Sequence, residues 1–163
     1  MKKLLCLLLF VPLIGCTQKT NIKPVTRNIS FTAEMAYYNE YYEMSVNIGS
    51  SGDMSVSVLQ PRELEGLVFN ITNGKTTAEY SGIKIDTNDT YKTAAANFIF
   101  SVFKAEKQEV FKNNNRFFTK GKCDGGEYKM YISEAGLPLK ILDSADRFEI
   151  LIKNLTINKE KEP

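Results

Sequence analysis

From Ile29 onward, apolar and polar residues alternate with a period of two, in one segment after another. Ile29, Phe31, Ala33, Met35 and Tyr37 alternate with Ser30, Thr32, Glu34 and Ala36. Tyr42, Met44, Val46 and Ile48 alternate with Glu43, Ser45 and Asn47, and Met54, Val56 and Val58 with Ser55 and Ser57. Successive strand side chains point to opposite faces, so each segment predicts a strand with one dry and one wet face. Residues 67–72 and 75–80 give two more strands, joined by Asn73-Gly74, a pair that tolerates positive φ and marks a hairpin. Residues 83–85 extend the second of these past Gly82.

One stretch breaks the pattern. Residues 93–107 are rich in helix formers, and Asp89 or Thr90 is placed to cap them. Phe98, Ile99, Val102 and Phe103 form a stripe at helical spacing, with Phe100 on the opposite side, which predicts a helix covered on both sides. Strands then resume at 116–123, 128–132, 137–143 and 148–157, separated by Gly125-Gly126 and Ala135-Gly136. The run Asn113-Asn114-Asn115 reads as a loop. Sequential hairpins with one polar face imply a mainly β fold with one helix: a curved antiparallel sheet, or open half-barrel, covered by a helical lid.

The N-terminus has another character. Lys2 and Lys3 precede the apolar run 4–13, which is shorter than the roughly 20 residues needed to span a bilayer. Leu13-Ile14-Gly15-Cys16 resembles the lipobox of bacterial lipoproteins. The resemblance implies cleavage before Cys16 and a diacylglycerol on its thiol. It divides the chain into a signal peptide (1–15), a lipidated Cys16 with a tether (16–28), one folded domain (29–158) and a charged tail (159–163). Taken as a flexible coil, the tether would reach roughly 20 Å. Two or more acyl chains anchor a protein stably where one does not.

Charge and cysteine content exclude several functions. Once Lys2 and Lys3 leave with the signal, the basic residues equal the 19 acidic ones, so the mature chain lacks the basic footprint of a nucleic-acid binder. Cys6 leaves with the signal and Cys16 is blocked by lipid, so Cys123 has no partner for an internal disulfide. Without histidine there is no Ser-His-Asp triad, no Cys-His pair and no Cys/His zinc site. Asp86, Asp89, Asp124 and Glu127 are the carboxylates nearest the helix and the Gly125-Gly126 turn, but no spacing pairs them for acid–base work. The expectation is a protein that is not an enzyme and takes no cofactor or metal.

Gly52-Asp53-Met54 leading to Pro61, Leu64 and Gly66-Leu67, together with Ala135-Gly136-Leu137-Pro138-Leu139, resembles the LolA/LolB-like family of half-barrels. The likeness covers 29–157. Gln60 stands where the periplasmic carriers of that family have a basic residue before the proline, and 17–28 lacks their first amphipathic helix. The resemblance implies an apolar cavity for acyl chains of a lipid or lipoprotein. Its expected walls are Phe31, Met35, Tyr42, Met44, Val56, Phe69, Tyr128, Met130 and Ile150, with Phe98, Val102 and Phe103 on the lid. Methionine suits such a wall because its thioether adapts to irregular shapes. The same residues equally make a packed core. The alternative is a lipid-anchored protein-interaction module with no lipid cargo, such as a partner of a cell-wall or spore-germination enzyme. It is prompted by Tyr37, Tyr38, Tyr41 and Tyr42 around one hairpin turn, which equally stabilise that hairpin by cross-strand pairing. Either way the expected location is extracytoplasmic, on the cell membrane or on an outer membrane where one exists.

Overall fold

The computed structural model describes residues 17–37, 40–86, 94–123, 126–145 and 147–158. The expected signal, Cys16, Tyr38, the helix caps Asp89 and Thr90, Asp124 and the charged tail lie outside them. The strands are β1 Gln18–Thr20, β2 Ile29–Tyr37, β3 Glu40–Ile48, β4 Met54–Gln60, β5 Val68–Thr72, β6 Lys75–Tyr80 and β7 Ile83–Asp86. Helix α1, Ala94–Lys104, follows, then β8 Val110–Asn113, β9 Arg116–Cys123, β10 Gly126–Ile132, β11 Pro138–Asp143 and β12 Phe148–Ile157. A short 3-10 turn, Arg62–Leu64, lies between β4 and β5.

The strands form one antiparallel twelve-stranded sheet in the order β1-β8-β9-β10-β11-β12-β2-β3-β4-β5-β6-β7. Its centre is the β12–β2 pair, where Ile150 faces Met35 and Ile152 faces Ala33. Chain order forces α1 to lead from edge strand β7 back to β8, beside the opposite edge, and so to cross one face of the sheet. The inward residues of β2 to β6 and of β8 to β12 join Ala96, Phe98, Ile99, Val102 and Phe103 of α1 in a single buried cluster. So many strands share one helix-centred core only if the sheet curls around the helix. This is the expected open half-barrel with a helical lid.

The hairpin at Asn73-Gly74 has φ of 51° and 78°, the paired positive values that such a turn requires. Asn114 and Asn115, with φ of 46° and 60°, turn the chain between β8 and β9, while Asn113 belongs to β8. Residues 83–86 are a separate strand antiparallel to β6, not an extension of it. The helix ends at Lys104, short of the expected 107. Gln108 Nε2 donates to the Val102 carbonyl at 2.6 Å, satisfying one of the acceptors a helix end leaves open.

The expected tether takes a different form. Gln18–Thr20 pairs with β8, Gln18 opposite Lys112 and Thr20 opposite Val110. Farther on, the Val25 N–H donates to the Gly136 carbonyl at 2.9 Å. Gly136 has a φ of 79°, and a Cβ there would meet the Lys23 carbonyl oxygen at 2.2 Å. The Ala135-Gly136 turn therefore needs its glycine as the bed for this N-terminal strap. A three-residue polar strand has too little alternation to be read from sequence.

Candidate ligand cleft

Five of the expected wall residues come together. Met35, Tyr42, Met44, Val56 and Phe69 line a cleft of about 200 Å³ between β2–β5 and the first turn of α1. Strand alternation aims each of them inward, and β2, β3, β4 and β5 are adjacent in the sheet. Ala94, Ala95 and Ala96 form the opposite wall, and their small side chains leave the space open. Leu64 and Leu67, from the bend that starts at Pro61, complete the lining with Tyr37 and Val58. Leu64 was not expected in the wall because 61–66 reads as a break, and Leu67 because it reads as the first residue of a strand that begins instead at Val68. Sequence reasoning missed the alanines because it looked for large apolar groups.

The other expected wall residues do not line this cleft: Phe98 and Phe103 border the grooves beside α1, and the rest lie in packed core. The Phe31 ring centroid is 5.6 Å from that of Phe103. Phe98 stacks on Phe148 at 5.0 Å, and Phe148 stacks on Tyr37 at 4.8 Å. Val102, Met130 and Ile150 are fully buried, and Tyr128 lies over Gly121. The half-barrel interior at this level is filled by side chains. Period two assigns a residue to the inner face but cannot say whether the space beyond it is occupied.

The cleft is apolar with one polar lip. The Tyr42 hydroxyl donates to the Glu40 carboxylate. That hydrogen bond, followed by partial burial and the Glu40 charge, pushes Tyr42 up to about 12. Tyr41 on the same hairpin is 66% exposed, whereas Tyr37 and Tyr42 pack against the core. Phe100, expected to be covered, lines two grooves of about 280 and 390 Å³ beside α1, the first mainly polar and the second mixed, with the Lys104 ammonium 5.4 Å from its ring centroid.

Among the described residues, no three of His, Cys, Asp or Glu gather as metal ligands. Glu127 is exposed and ion-pairs with Lys122 at 3.4 Å. Cys123 is a free thiol, half-buried, whose Sγ donates to the Gly126 carbonyl at 3.4 Å. No helix among the described residues is long and apolar enough to cross a membrane.

No protein-family model matches the chain, and no curated protein sequence matches it. Solved structures do. An uncharacterized conserved protein from Thermus thermophilus is similar at 15% identity and a TM-score of 0.49, over 84% of this chain and 83% of that one. A LolA superfamily protein from Nitrosomonas europaea is similar at 6% identity and a TM-score of 0.41, over 80% and 85%. A putative outer membrane lipoprotein-sorting protein domain from Vibrio parahaemolyticus is similar at 12% identity and a TM-score of 0.38, over 85% and 88%.

Proposed function

We propose that this chain is an extracytoplasmic lipoprotein, held on a bacterial membrane by lipid on Cys16, whose half-barrel takes an apolar ligand such as an acyl chain. The observation that carries the ligand reading is the cleft walled by Met35, Met44, Val56, Phe69 and the alanines of α1. Burial there contributes about 25 cal/mol per Å² of apolar surface removed from water. At about 200 Å³ the cleft lies below the roughly 300–1,000 Å³ usual for small-molecule sites. It therefore suits the end of a single chain, and deeper entry requires α1 to move off the sheet. The anchor rests on the apolar run 4–13 followed by Leu13-Ile14-Gly15-Cys16.

Native mass spectrometry of residues 17–163, purified from bacteria without detergent, tests the ligand. Bound masses of fatty acid or phospholipid, lost on filling the cleft with Ala95→Trp, are the expected result. A clean apo mass with no uptake of added lipid refutes it. The anchor is tested separately, since Cys16→Ser abolishes lipid labelling and membrane fractionation if the thiol carries the lipid.

The second reading, a lipid-anchored protein-interaction module, is favoured by β7. Among the described residues this strand pairs only with β6, and its Ile83 is 68% exposed. An open edge of this kind accepts a strand from a partner.

A further inference from the structure

The outer face of β8–β10 carries a feature that the cleft does not use. Phe111 of β8 is opposite Phe118 of β9, which is opposite Tyr131 of β10. The three rings form a row, with centroids 5.8 and 6.3 Å apart. This row lies on the outer side of the sheet, because the neighbouring Met130 and Ile132 point into the core and Phe118 is no part of that cluster; Phe118 itself is 9% exposed, buried beneath the lysines, with Phe111 and Tyr131 half-buried on either side. Lysines lie over it. Lys129 Nζ is 4.3 Å from the Phe118 centroid and 4.8 Å from that of Tyr131, and Lys120 Nζ is 5.4 Å from that of Phe111. Arg116 and Lys129 flank a shallow hollow of about 400 Å³ floored by Phe118 and Tyr131.

Charge separates this face from an ordinary covered sheet. Lys122 and Lys140 are neutralised by Glu127 and Glu149. Among the described residues, Arg116, Lys120 and Lys129 have no ion pair. Three uncompensated cations therefore share one face of a chain whose mature charge is balanced. Leu151, 41% exposed, continues the row beyond Lys140, its partner on β11. Aromatic rings and leucines between long cationic side chains suit a bilayer interface, where rings sit among headgroups and ammonium groups meet lipid phosphate.

The strap supplies the position. Gln18 is paired to Lys112 on β8, the strand that carries Phe111 and turns directly into Arg116. A lipid on Cys16 is two residues from Gln18, at most about 7 Å of chain. We infer that the outer face of β8–β10, through Arg116, Lys120, Lys129 and the Phe111-Phe118-Tyr131 row, docks flat on an anionic lipid surface beside the anchor. Its placement beside the anchor rests on the anchor half of the proposed function; the cationic, ring-lined face does not, and neither depends on the cleft.

Amine acetylation of the full lipidated chain, read by mass spectrometry, tests the docking. The chain is compared in phosphatidylglycerol/phosphatidylcholine vesicles, in phosphatidylcholine vesicles and in detergent. A cation near an anionic surface gains about 1 kcal/mol, about fivefold. Lys120 and Lys129 are therefore expected to react about fivefold more slowly in the anionic vesicles, with protection lost in high salt. Lys75 and Lys84, on β6 and β7 at the far edge, serve as controls and should not change. Equal reactivity of Lys120 and Lys129 in anionic and neutral vesicles, in chain that sediments with both, overturns the docking and leaves the anchor standing. Protection of the same lysines by added anionic vesicles, in chain whose N-terminal peptide carries no lipid mass, keeps the docking and dismisses the anchor. With neither lipid mass nor protection, both fall. Protection in detergent that grows with protein concentration assigns the face to a second copy and overturns the membrane assignment.

Discussion

Tyr128 lies across Gly121 on the neighbouring strand, so close that a Cβ on Gly121 would stand 2.8 Å from the tyrosine oxygen and 2.9 Å from two ring carbons. The ring fills the space a side chain would take and joins the core at 3% exposure. Gly121→Ala is an overpacking change, expected to cost about 1–3 kcal/mol in urea unfolding. Tyr128→Phe in the same chain is not expected to restore it, because the ring carbons still collide. Full recovery by Tyr128→Phe would trace the constraint to the hydroxyl instead.

Alkaline pH is expected to weaken the fold through the same residue. Burial, and to a smaller extent the Cys123 charge, push Tyr128 up to about 12 from the ordinary 10. Between these values the unfolded chain has lost a proton that the folded chain retains. The stabilisation is therefore complete below about pH 10 and is lost as pH rises through about 12. Urea midpoints followed from pH 9 upward should fall more steeply in the wild type than in Tyr128→Phe. Parallel curves would remove Tyr128 as the cause.

Asp143 is buried at the end of β11, and its Oδ2 accepts from Arg147 Nε at 2.6 Å. Among the described residues its Oδ1 has no hydrogen-bond partner. Arg147→Ala strands a buried carboxylate, a loss of about 3–5 kcal/mol in such pairs. The low end is expected, since the Arg147 side chain is 33% exposed. Replacing both residues by leucine should recover most of that loss, and a double variant as weak as the single one would show that the pair itself stabilises.

Gly136→Ala tests the strap. The new methyl meets backbone at Lys23, which cannot rotate away, and the residue must also keep a positive φ. Hydrogen exchange at the Val25 amide should rise well above that of β10 amides such as Met130. Unchanged protection at Val25 would mean that the N-terminal segment does not depend on this turn.

The sequence made the repeating units readable more clearly than their assembly. Nine residues from Ile29 to Tyr37 predict β2 because each apolar member repeats the same demand for a dry face, and Asn73-Gly74 fixes a turn through backbone sterics alone. β1 was not readable, because Gln18–Thr20 is held by backbone bonds to β8 that carry no side-chain signature. At the site, Met35 and Met130 look alike in sequence, each alternating into the inner face. One borders open space because its neighbours across the helix are alanines, and the other is enclosed. The outer row Phe111-Phe118-Tyr131 was also hidden, since it depends on the register of three strands.

The β12–β2 pair has a further consequence for biogenesis. Glu34 ion-pairs with Lys153, 119 residues later in the chain. Until β12 has been synthesised, β2 has hydrogen-bonding partners on its β3 side only, and its other rim is bare backbone. Contacts this distant in sequence form slowly, and an unpaired rim is a template for aggregation. Closure of the sheet thus awaits β12, and a chain cut short before Phe148 would leave the middle of the sheet, not its margin, unfinished.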